Sequence, residues 1–251
     1  MNIEFVFSEF GTRMTANQPD SFTDEYRLDP TYSSVKQFFP EAKLTMYTDN
    51  RDLGKNYEDV EIRLVDIESS PFDKSNHRWG WHACDYYQVK GLLDSKADIA
   101  ISVDSDVMFV NDEVKTILPI TERFGICVPQ NERQMVKVDG IHTRGNDGDF
   151  HIEESSNRGN ILTYDLWWMS FDTKNTRSRK WLSEFGRLMV SNPRRAPLQM
   201  SRAAWNTGIH PYAMPIQWGV GHGHVGCGNE IILHLGHQRV REYYLEGKNV
   251  S

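Results

Sequence analysis

The stretch Ala97-Asp98-Ile99-Ala100-Ile101-Ser102-Val103-Asp104-Ser105-Asp106-Val107-Met108-Phe109-Val110 combines the pattern of a buried strand with two closely spaced carboxylates. It is rich in Ile and Val and lacks Pro and Gly, which predicts a strand inside a sheet. In an extended chain, Asp104 and Asp106 leave the same face. Two adjacent charges at the edge of a core need compensation, and hard divalent cations prefer carboxylate oxygen. The stretch therefore predicts a metal site at the carboxyl end of a central strand, although a pair of turn aspartates is the alternative.

The elements around this stretch alternate between strands and helices. Apolar runs bounded by turn residues predict strands over residues 3–7, 43–48, 60–67, 124–128, 161–171 and 231–233. Helical spacing of apolar residues predicts helices over 24–39, 79–93 and 176–190, and polar, glycine-containing sequence predicts a long loop over 139–160. The alternation predicts an α/β fold with a mixed, mainly parallel central sheet flanked by helices.

The composition is that of a globular protein. The chain has 251 residues, which suits one domain, and 39% hydrophobic with 25% charged residues is ordinary for a soluble protein. A net charge of −7 argues against a general binder of nucleic acid or of anionic membranes. No apolar stretch approaches the ~20 residues that span a bilayer, so we expect no transmembrane segment.

Cysteine usage and the first residues bear on the compartment. Cys84, Cys127 and Cys227 are scattered and form no Cys-x-x-Cys pair, which argues against a disulfide framework or a thiolate zinc site. The first seven residues lack the basic and long apolar regions of a signal peptide. These features favour a reducing, cytoplasmic location.

A second informative stretch lies near the other end of the chain. His234 directly follows the apolar run Ile231-Ile232-Leu233, as the two aspartates follow theirs. A neutral imidazole together with carboxylates suits Mn²⁺ or a related metal, whereas a buried histidine hydrogen-bonded to the backbone is the alternative. Arg239 and Arg241 can neutralise phosphate oxygens, or they are surface charges.

Three motifs together resemble the GT-A glycosyltransferases, the nucleotide-diphospho-sugar transferase superfamily. They are Asp104-Ser105-Asp106 after an apolar strand, Tyr47-Thr48-Asp49 at the end of the second predicted strand, and the late His234. The aspartate triplet with a distant histidine is most similar to the metal-dependent branch that includes glycogenin-like enzymes. The family often follows this histidine with a Lys-Pro-Trp-like stretch. Here His237-Gln238-Arg239 stands instead, which leaves open the subfamily and whether Arg239 replaces the lysine.

The resemblance implies a Rossmann-like GT-A domain over residues 1–251, with a nucleotide-binding half (1–130) and an acceptor half (131–251). It implies a nucleotide-sugar donor, a carbohydrate or glycoconjugate acceptor, and Mn²⁺ (or Mg²⁺) held against the donor diphosphate. The implied metal ligands are Asp104, Asp106 and His234. The residues implied to lie near the donor are Phe7, Thr12, Arg13, Asp49, Lys90 (or Arg78), Asp104, Ser105 and Arg239.

The function that follows is transfer of a sugar to a hydroxyl group. An inverting enzyme needs a carboxylate base near the acceptor. The candidates are Asp165, Glu153 and Glu154, with Asp147 and Asp149 as weaker ones, and a solvated loop acid is the more common role of such a residue. Trp167 and Trp168 can stack on a sugar ring or fill the core, and strand neighbours face opposite ways.

Two other functions stay open at this point. Gly11-Thr12-Arg13-Met14 faintly resembles the phosphate-binding loop of sugar-nucleotide nucleotidyltransferases, but the glycines that such a loop needs are replaced by Ser8-Glu9-Phe10. A non-catalytic module that binds sugar or metal is the third possibility.

Overall fold

A computed structural model describes residues 1–10, 28–54, 57–66, 70–72, 79–130, 136–137, 140–141, 164–191, 196–221, 225–226 and 228–244. Its strands are β1 Ile3–Glu9, β2 Lys43–Thr48, β3 Val60–Leu64, β4 Ile99–Val103, β5 Val107–Phe109, β6 Ile126–Pro129, β7 Val136–Lys137, β8 Gly140–Ile141, β9 Trp168–Asp172, β10 Tyr212–Met214 and β11 Ile232–His234. Its helices are α1 Asp29–Phe38, α2 Trp79–Asp94, α3 Ile117–Phe124, α4 Thr176–Ser191, α5 Ala196–Thr207 and α6 Gln238–Tyr244, with short 3₁₀ turns at Arg51–Gly54, Asp112–Thr116 and Ile216–Trp218.

Seven strands form the central sheet in the order β10-β6-β9-β4-β1-β2-β3. The pairs β1–β2, β1–β4, β2–β3 and β6–β10 are parallel, and β9 runs antiparallel to both β4 and β6. Two further pairs stand apart from this sheet, β5 with β11 and β7 with β8, both antiparallel. The predicted mixed, mainly parallel α/β sheet is therefore confirmed.

The central sheet has a hydrophobic cluster on each face, because successive residues of a strand point to opposite sides. On one face, Ile101 of β4 packs in a cluster with Val35 of α1. On the other face, its neighbour Ala100 packs with Leu92 of α2 and Phe185 of α4. The helices cover both faces, so the central strand β4 is buried along its whole length and reads as a continuous apolar run, whereas the edge strands β3 and β10 are partly exposed.

Several predicted boundaries move. The predicted strand over 60–67 ends at residue 64. The strand predicted from 124 starts at Ile126, because α3 continues through Phe124. The strand predicted over 161–171 begins at Trp168. Helices α3, α5 and α6 and strand β10 were not predicted, and β8 lies within the predicted loop over 139–160. Most of that loop, and residues 24–27 of the first predicted helix, lie outside the described residues.

The prediction of one long strand over residues 97–110 is wrong. The stretch is two strands, β4 and β5, and the chain turns at Asp104-Ser105-Asp106, where the N–H of Val107 donates to the carbonyl of Asp104 at 3.2 Å. Short polar residues favour such a turn, and after it β5 leaves the central sheet to pair with β11. The two aspartates are thus turn residues, and their proximity comes from the turn rather than from one face of an extended strand.

In the part of the chain that the structure describes, no helix is both long enough and apolar enough to cross a bilayer.

Candidate metal centre

The turn that carries Asp104 and Asp106 lies at the carboxyl end of β4, next to β1 in the middle of the sheet. Asp104 is 7% exposed, Ser105 is 2% exposed and Asp106 is 1% exposed. Such burial of two carboxylates is costly unless a cation or hydrogen bonds compensate their charge. The position agrees with the usual ligand site of open α/β sheets, outside the carboxyl ends of the strands.

The small β5–β11 sheet brings His234 to these aspartates. In the antiparallel register His234 lies opposite Val107, the residue that follows Asp106. The ladder continues into the turn, because the N–H of Leu235 donates to the carbonyl of Asp106 at 2.7 Å. Two strands distant in sequence therefore fix the imidazole beside the second aspartate.

The three side chains form one cluster. His234 Nε2 lies 3.2 Å from Asp106 Oδ1 and 3.8 Å from Asp104 Oδ2. One ligand atom from each residue lies within 4.8 Å of the others, so all three can contact one ion. Neither ring nitrogen of His234 has a hydrogen-bond partner among the described residues, although the side chain is only 13% exposed. Two carboxylates and an imidazole are a donor set that suits Mn²⁺ or Mg²⁺, so the residues present fit a divalent ion.

Neighbouring elements hold the turn in place. Gln88 of α2 is fully buried, and its Nε2 donates to Asp104 Oδ1 at 2.5 Å. The hydroxyl of Ser105 donates to Glu9 Oε2 at the end of β1. Sequence reasoning missed both Gln88 and Glu9. The signal for Gln88 is an amide within a run of buried residues on α2.

Gly236 allows the chain to pass close to the cluster. A Cβ at this position would lie 2.7 Å from Asp106 Oδ2 and 3.1 Å from His234 Nε2. Any side chain here would displace an atom of the candidate ligands. This glycine was also not singled out from the sequence.

The two adjacent tryptophans take different places. Trp168 is fully buried, and its Nε1 donates to the carbonyl of Trp218 at 2.5 Å, so it belongs to the core. The indole of Trp167 stacks on the imidazole of His234, with ring centroids 4.5 Å apart and an interplanar angle of 16°. The prediction that the two residues differ in role agrees with this placement, and the ring face of Trp167 toward the site is covered by His234.

The other residues predicted to lie near the donor are found on three different elements, in β1, after β2 and in α2. Phe7 lies in β1, fully buried in the main core cluster. Asp49 directly follows β2 and is half-buried. Lys90 lies two positions beyond Gln88, about 200° around the helix, and its Nζ contacts Asp94 Oδ2 at 2.7 Å. This hydrogen bond raises the pKa of Lys90 above its ordinary value. On α2, the neutral Gln88 contacts the aspartate turn, whereas Lys90 pairs with Asp94 of the same helix.

The residues predicted in the second half of the chain differ in their burial and in their partners. Asp165 is buried two positions before Trp167, and its Oδ1 accepts the N–H of Leu166 at 2.9 Å. Arg239 is exposed on α6. Arg241 is buried, and its Nη1 donates to the carbonyl of Leu235 at 2.6 Å. The predicted residues that lie outside the described part of the chain are Thr12, Arg13, Arg78, Asp147, Asp149, Glu153 and Glu154.

Comparison with known proteins identifies the fold. No protein-family model matches the chain, and no curated protein matches it in sequence. Solved structures do match. The apo form of mouse xyloside xylosyltransferase 1 has 12% identity and a TM-score of 0.54, and the match covers 93% of this chain and 96% of that one.

Two further solved structures are similar to the chain at comparable identity. The galactosyltransferase LgtC, solved with donor and acceptor sugar analogues, has 12% identity and a TM-score of 0.52 over 93% of this chain and 86% of its own. The bifunctional glycosyltransferase WbbM has 13% identity and a TM-score of 0.52 over 88% of this chain and 40% of its own. The chain therefore has the GT-A fold, as its motifs predict, whereas the glycogenin-like branch is not singled out by these similarities.

Proposed function

We propose that the protein is a metal-dependent glycosyltransferase that moves a sugar from a nucleotide-diphosphate donor to a hydroxyl acceptor. The observation that carries this proposal is the convergence of Asp104, Asp106 and His234 within 4.8 Å at the carboxyl end of β4 in a GT-A fold. The fold alone is compatible with many reactions. The buried oxygen and nitrogen donors are what add a specific chemistry to it.

The donor set favours Mn²⁺, with Mg²⁺ as the alternative. A divalent ion at this site supplies charge neutralisation for the nucleoside diphosphate that leaves during transfer. Asp104 and Asp106 bring two negative charges to the site, and Gln88 orients the first of them through a hydrogen bond. His234 adds a nitrogen donor that carries no charge when the ring is neutral.

On the donor side, we assign Phe7, Thr12, Arg13 and Asp49 to the nucleoside, on the strength of the family resemblance and of their sequence positions, with Phe7 in β1, Thr12 and Arg13 after it, and Asp49 after β2. Asp104 and Ser105 border the donor sugar in the same assignment. Lys90 and Arg239 are the weakest members, because Lys90 pairs with Asp94 and Arg239 lies exposed on α6.

On the acceptor side, we assign the carboxylate role to Asp165, with Glu153 as the second candidate. Asp165 is buried and close in sequence to Trp167, whose carbonyl accepts the N–H of Asp104. Its hydrogen bond from Leu166 holds the carboxylate in one orientation, which a base near an acceptor hydroxyl requires.

A panel of nucleotide sugars tests the proposal. Each is incubated with the protein, Mn²⁺ and a mixture of simple sugar acceptors, and release of the nucleoside diphosphate is measured. We expect release from at least one donor, loss of that release with a chelator, and its absence in Asp106→Asn. Formation of pyrophosphate from a nucleoside triphosphate and a sugar phosphate would instead identify a nucleotidyltransferase. No turnover, together with thermal stabilisation by free sugar alone, would identify a binding module.

A further inference from the structure

Trp167 contacts both chain segments that carry the candidate metal ligands. Its carbonyl accepts the N–H of Asp104 at 2.8 Å. Its indole stacks on the imidazole of His234 at a centroid distance of 4.5 Å. One residue directly before β9 thus joins the aspartate turn to the end of β11.

The stack replaces a contact that a ligand histidine usually makes by hydrogen bonding. Metal-bound histidines generally donate their second ring N–H to a carboxylate, carbonyl or water, which fixes the ring. Nδ1, the ring nitrogen of His234 that does not face the aspartates, has no hydrogen-bond partner among the described residues. Its ring instead stacks on Trp167 and lies nearly perpendicular to His237, at 4.7 Å and 79°.

The geometry of stacking suits a metal ligand. The lone pair of an imidazole nitrogen lies in the plane of the ring, so a partner on the ring face restrains the tilt and leaves the nitrogens accessible at the edge. His234 Nε2 accordingly remains 3.2 Å from Asp106 Oδ1 while the ring is covered by Trp167.

Trp167 is itself held firmly. Its side chain belongs to the main core cluster, and the residue is 7% exposed. The indole also lies near Gly219, where an added Cβ would reach ordinary van der Waals contact with Cζ3 of the ring at 3.5 Å. The ring cannot swing away from His234 without opening the core.

We propose that Trp167 is a positioning residue of the metal centre, which orients the imidazole of His234 by ring stacking instead of hydrogen bonding. The inference rests on the proposed metal-dependent function and deepens it. If Trp167 has this role, the affinity of the site for the metal depends on an aromatic ring that does not itself coordinate the ion.

Titration of the full chain with Mn²⁺, followed by the electron paramagnetic resonance signal of the free ion, measures that dependence. Trp167→Leu removes the ring and should weaken Mn²⁺ affinity about 10-fold to 100-fold, the usual effect of losing a residue that orients a ligand. Trp167→Phe keeps a stacking ring and should retain most of the affinity.

Trp205→Leu on α5 is the control, because Trp205 is 57% exposed, and it should leave the affinity unchanged. Circular dichroism checks that each variant folds, and Trp167→Met replaces the leucine variant if that one does not.

A double-mutant cycle with His234→Ala distinguishes positioning from a general packing role. In the His234→Ala background, Trp167→Leu should change the residual affinity by less than about twofold, because its effect acts through the imidazole. Unchanged Mn²⁺ affinity in Trp167→Leu, or an equal loss in both backgrounds, would overturn the inference while leaving wild-type binding and the proposed function intact. A wild-type chain that does not bind Mn²⁺ would overturn both.

Discussion

Each candidate aspartate turns one carboxylate oxygen toward His234 and has the other in contact with the protein. Asp104 Oδ1 accepts the hydrogen bond from Gln88, and its Oδ2 faces the imidazole. Asp106 Oδ1 faces the imidazole, and its Oδ2 lies against Gly236. Each aspartate therefore has one oxygen available to a metal ion, which favours ligation through a single oxygen. The orientation of each carboxylate depends on Gln88 or Gly236, which lies beside its other oxygen.

Asp106→Asn is expected to abolish metal-dependent binding of a nucleoside diphosphate and to leave the fold intact. The amide keeps the size of the carboxylate but removes a negative charge from a site that depends on charge. Isothermal titration with UDP or GDP in the presence of Mn²⁺ measures the loss.

Asp112→Asn is the matched control, since Asp112 is an exposed carboxylate paired with Lys115 in the 3₁₀ turn after β5. It should bind like the wild type. Unchanged diphosphate affinity in Asp106→Asn would remove this residue from the metal centre.

Gln88→Leu is expected to weaken Mn²⁺ affinity about 10-fold to 100-fold, because Asp104 loses the hydrogen bond that orients it. Gln199→Leu is the control. Gln199 is an equally buried amide on α5, so its loss should lower stability without changing Mn²⁺ affinity. An equal loss of affinity in both variants would mean that general destabilisation, and not the contact with Asp104, is responsible.

At the scale of the elements, the sequence allows most strands of the central sheet and the candidate metal ligands to be predicted, but not how these segments meet in the fold. Asp104, Asp106 and His234 each follow an apolar run, which is visible without a structure. The sequence does not show that β5 leaves the central sheet after the turn, because Val107–Phe109 is as apolar as Ile99–Val103. Only the pairing of β5 with β11 reveals it. Helix α5 was missed because one of its fully buried positions is the polar Gln199, which interrupts the apolar helical pattern.

Glu4, a buried carboxylate near the start of β1, links this strand to β2 and to the segment after α2. Glu4 is 4% exposed and accepts hydrogen bonds from Thr45 of β2 at 2.7 Å and from Ser95 after α2 at 2.5 Å. Burial alone would raise the pKa of Glu4, but the hydrogen bonds from Ser95 and Thr45, together with Lys43, hold it below its ordinary value of 4.5. The ionised form therefore stabilises the fold.

Glu4→Gln is expected to lower the free energy of unfolding at pH 7 by about 1–3 kcal/mol, because a buried amide donor is left without a suitable acceptor. A depressed folded-state pKa contributes stability above pH 4.5 that is lost as the pH falls through the depressed value. Urea denaturation at several pH values should show the gap between wild type and variant narrowing below pH 4.5.

The control for this comparison is Glu122→Gln, which changes an exposed acid of α3 and should alter stability by no more than about 0.5 kcal/mol. A gap between wild type and Glu4→Gln that stays constant from pH 7 to the acid limb would contradict the assigned role of the ionised carboxylate.

At the scale of the whole molecule, the fold is shared with glycosyltransferases at only 12–13% identity. What these matches share with the chain is the fold, and the alternation of strands and helices that builds it can be predicted from the sequence. The proposed acceptor-side residue Glu153 and the proposed donor-side residues Thr12 and Arg13 lie in polar stretches, where no periodic pattern predicts their placement.

Thermal stability should report donor binding across the molecule. With Mn²⁺ present, UDP or GDP is expected to raise the melting temperature, and a ligand at 100 times its dissociation constant adds about 2.7 kcal/mol to the free energy of unfolding. The same nucleotide with a chelator should give little or no shift. Equal stabilisation with and without metal would mean that the diphosphate is bound by cationic side chains instead.

The most direct measurement is a crystal structure of the protein soaked with Mn²⁺, with anomalous diffraction recorded at the manganese edge. We predict a single strong anomalous peak in contact with the carboxylates of Asp104 and Asp106 and with the imidazole of His234. A peak elsewhere, or a manganese more than ~5 Å from the nearest nitrogen of His234, would contradict the metal centre on which the account depends.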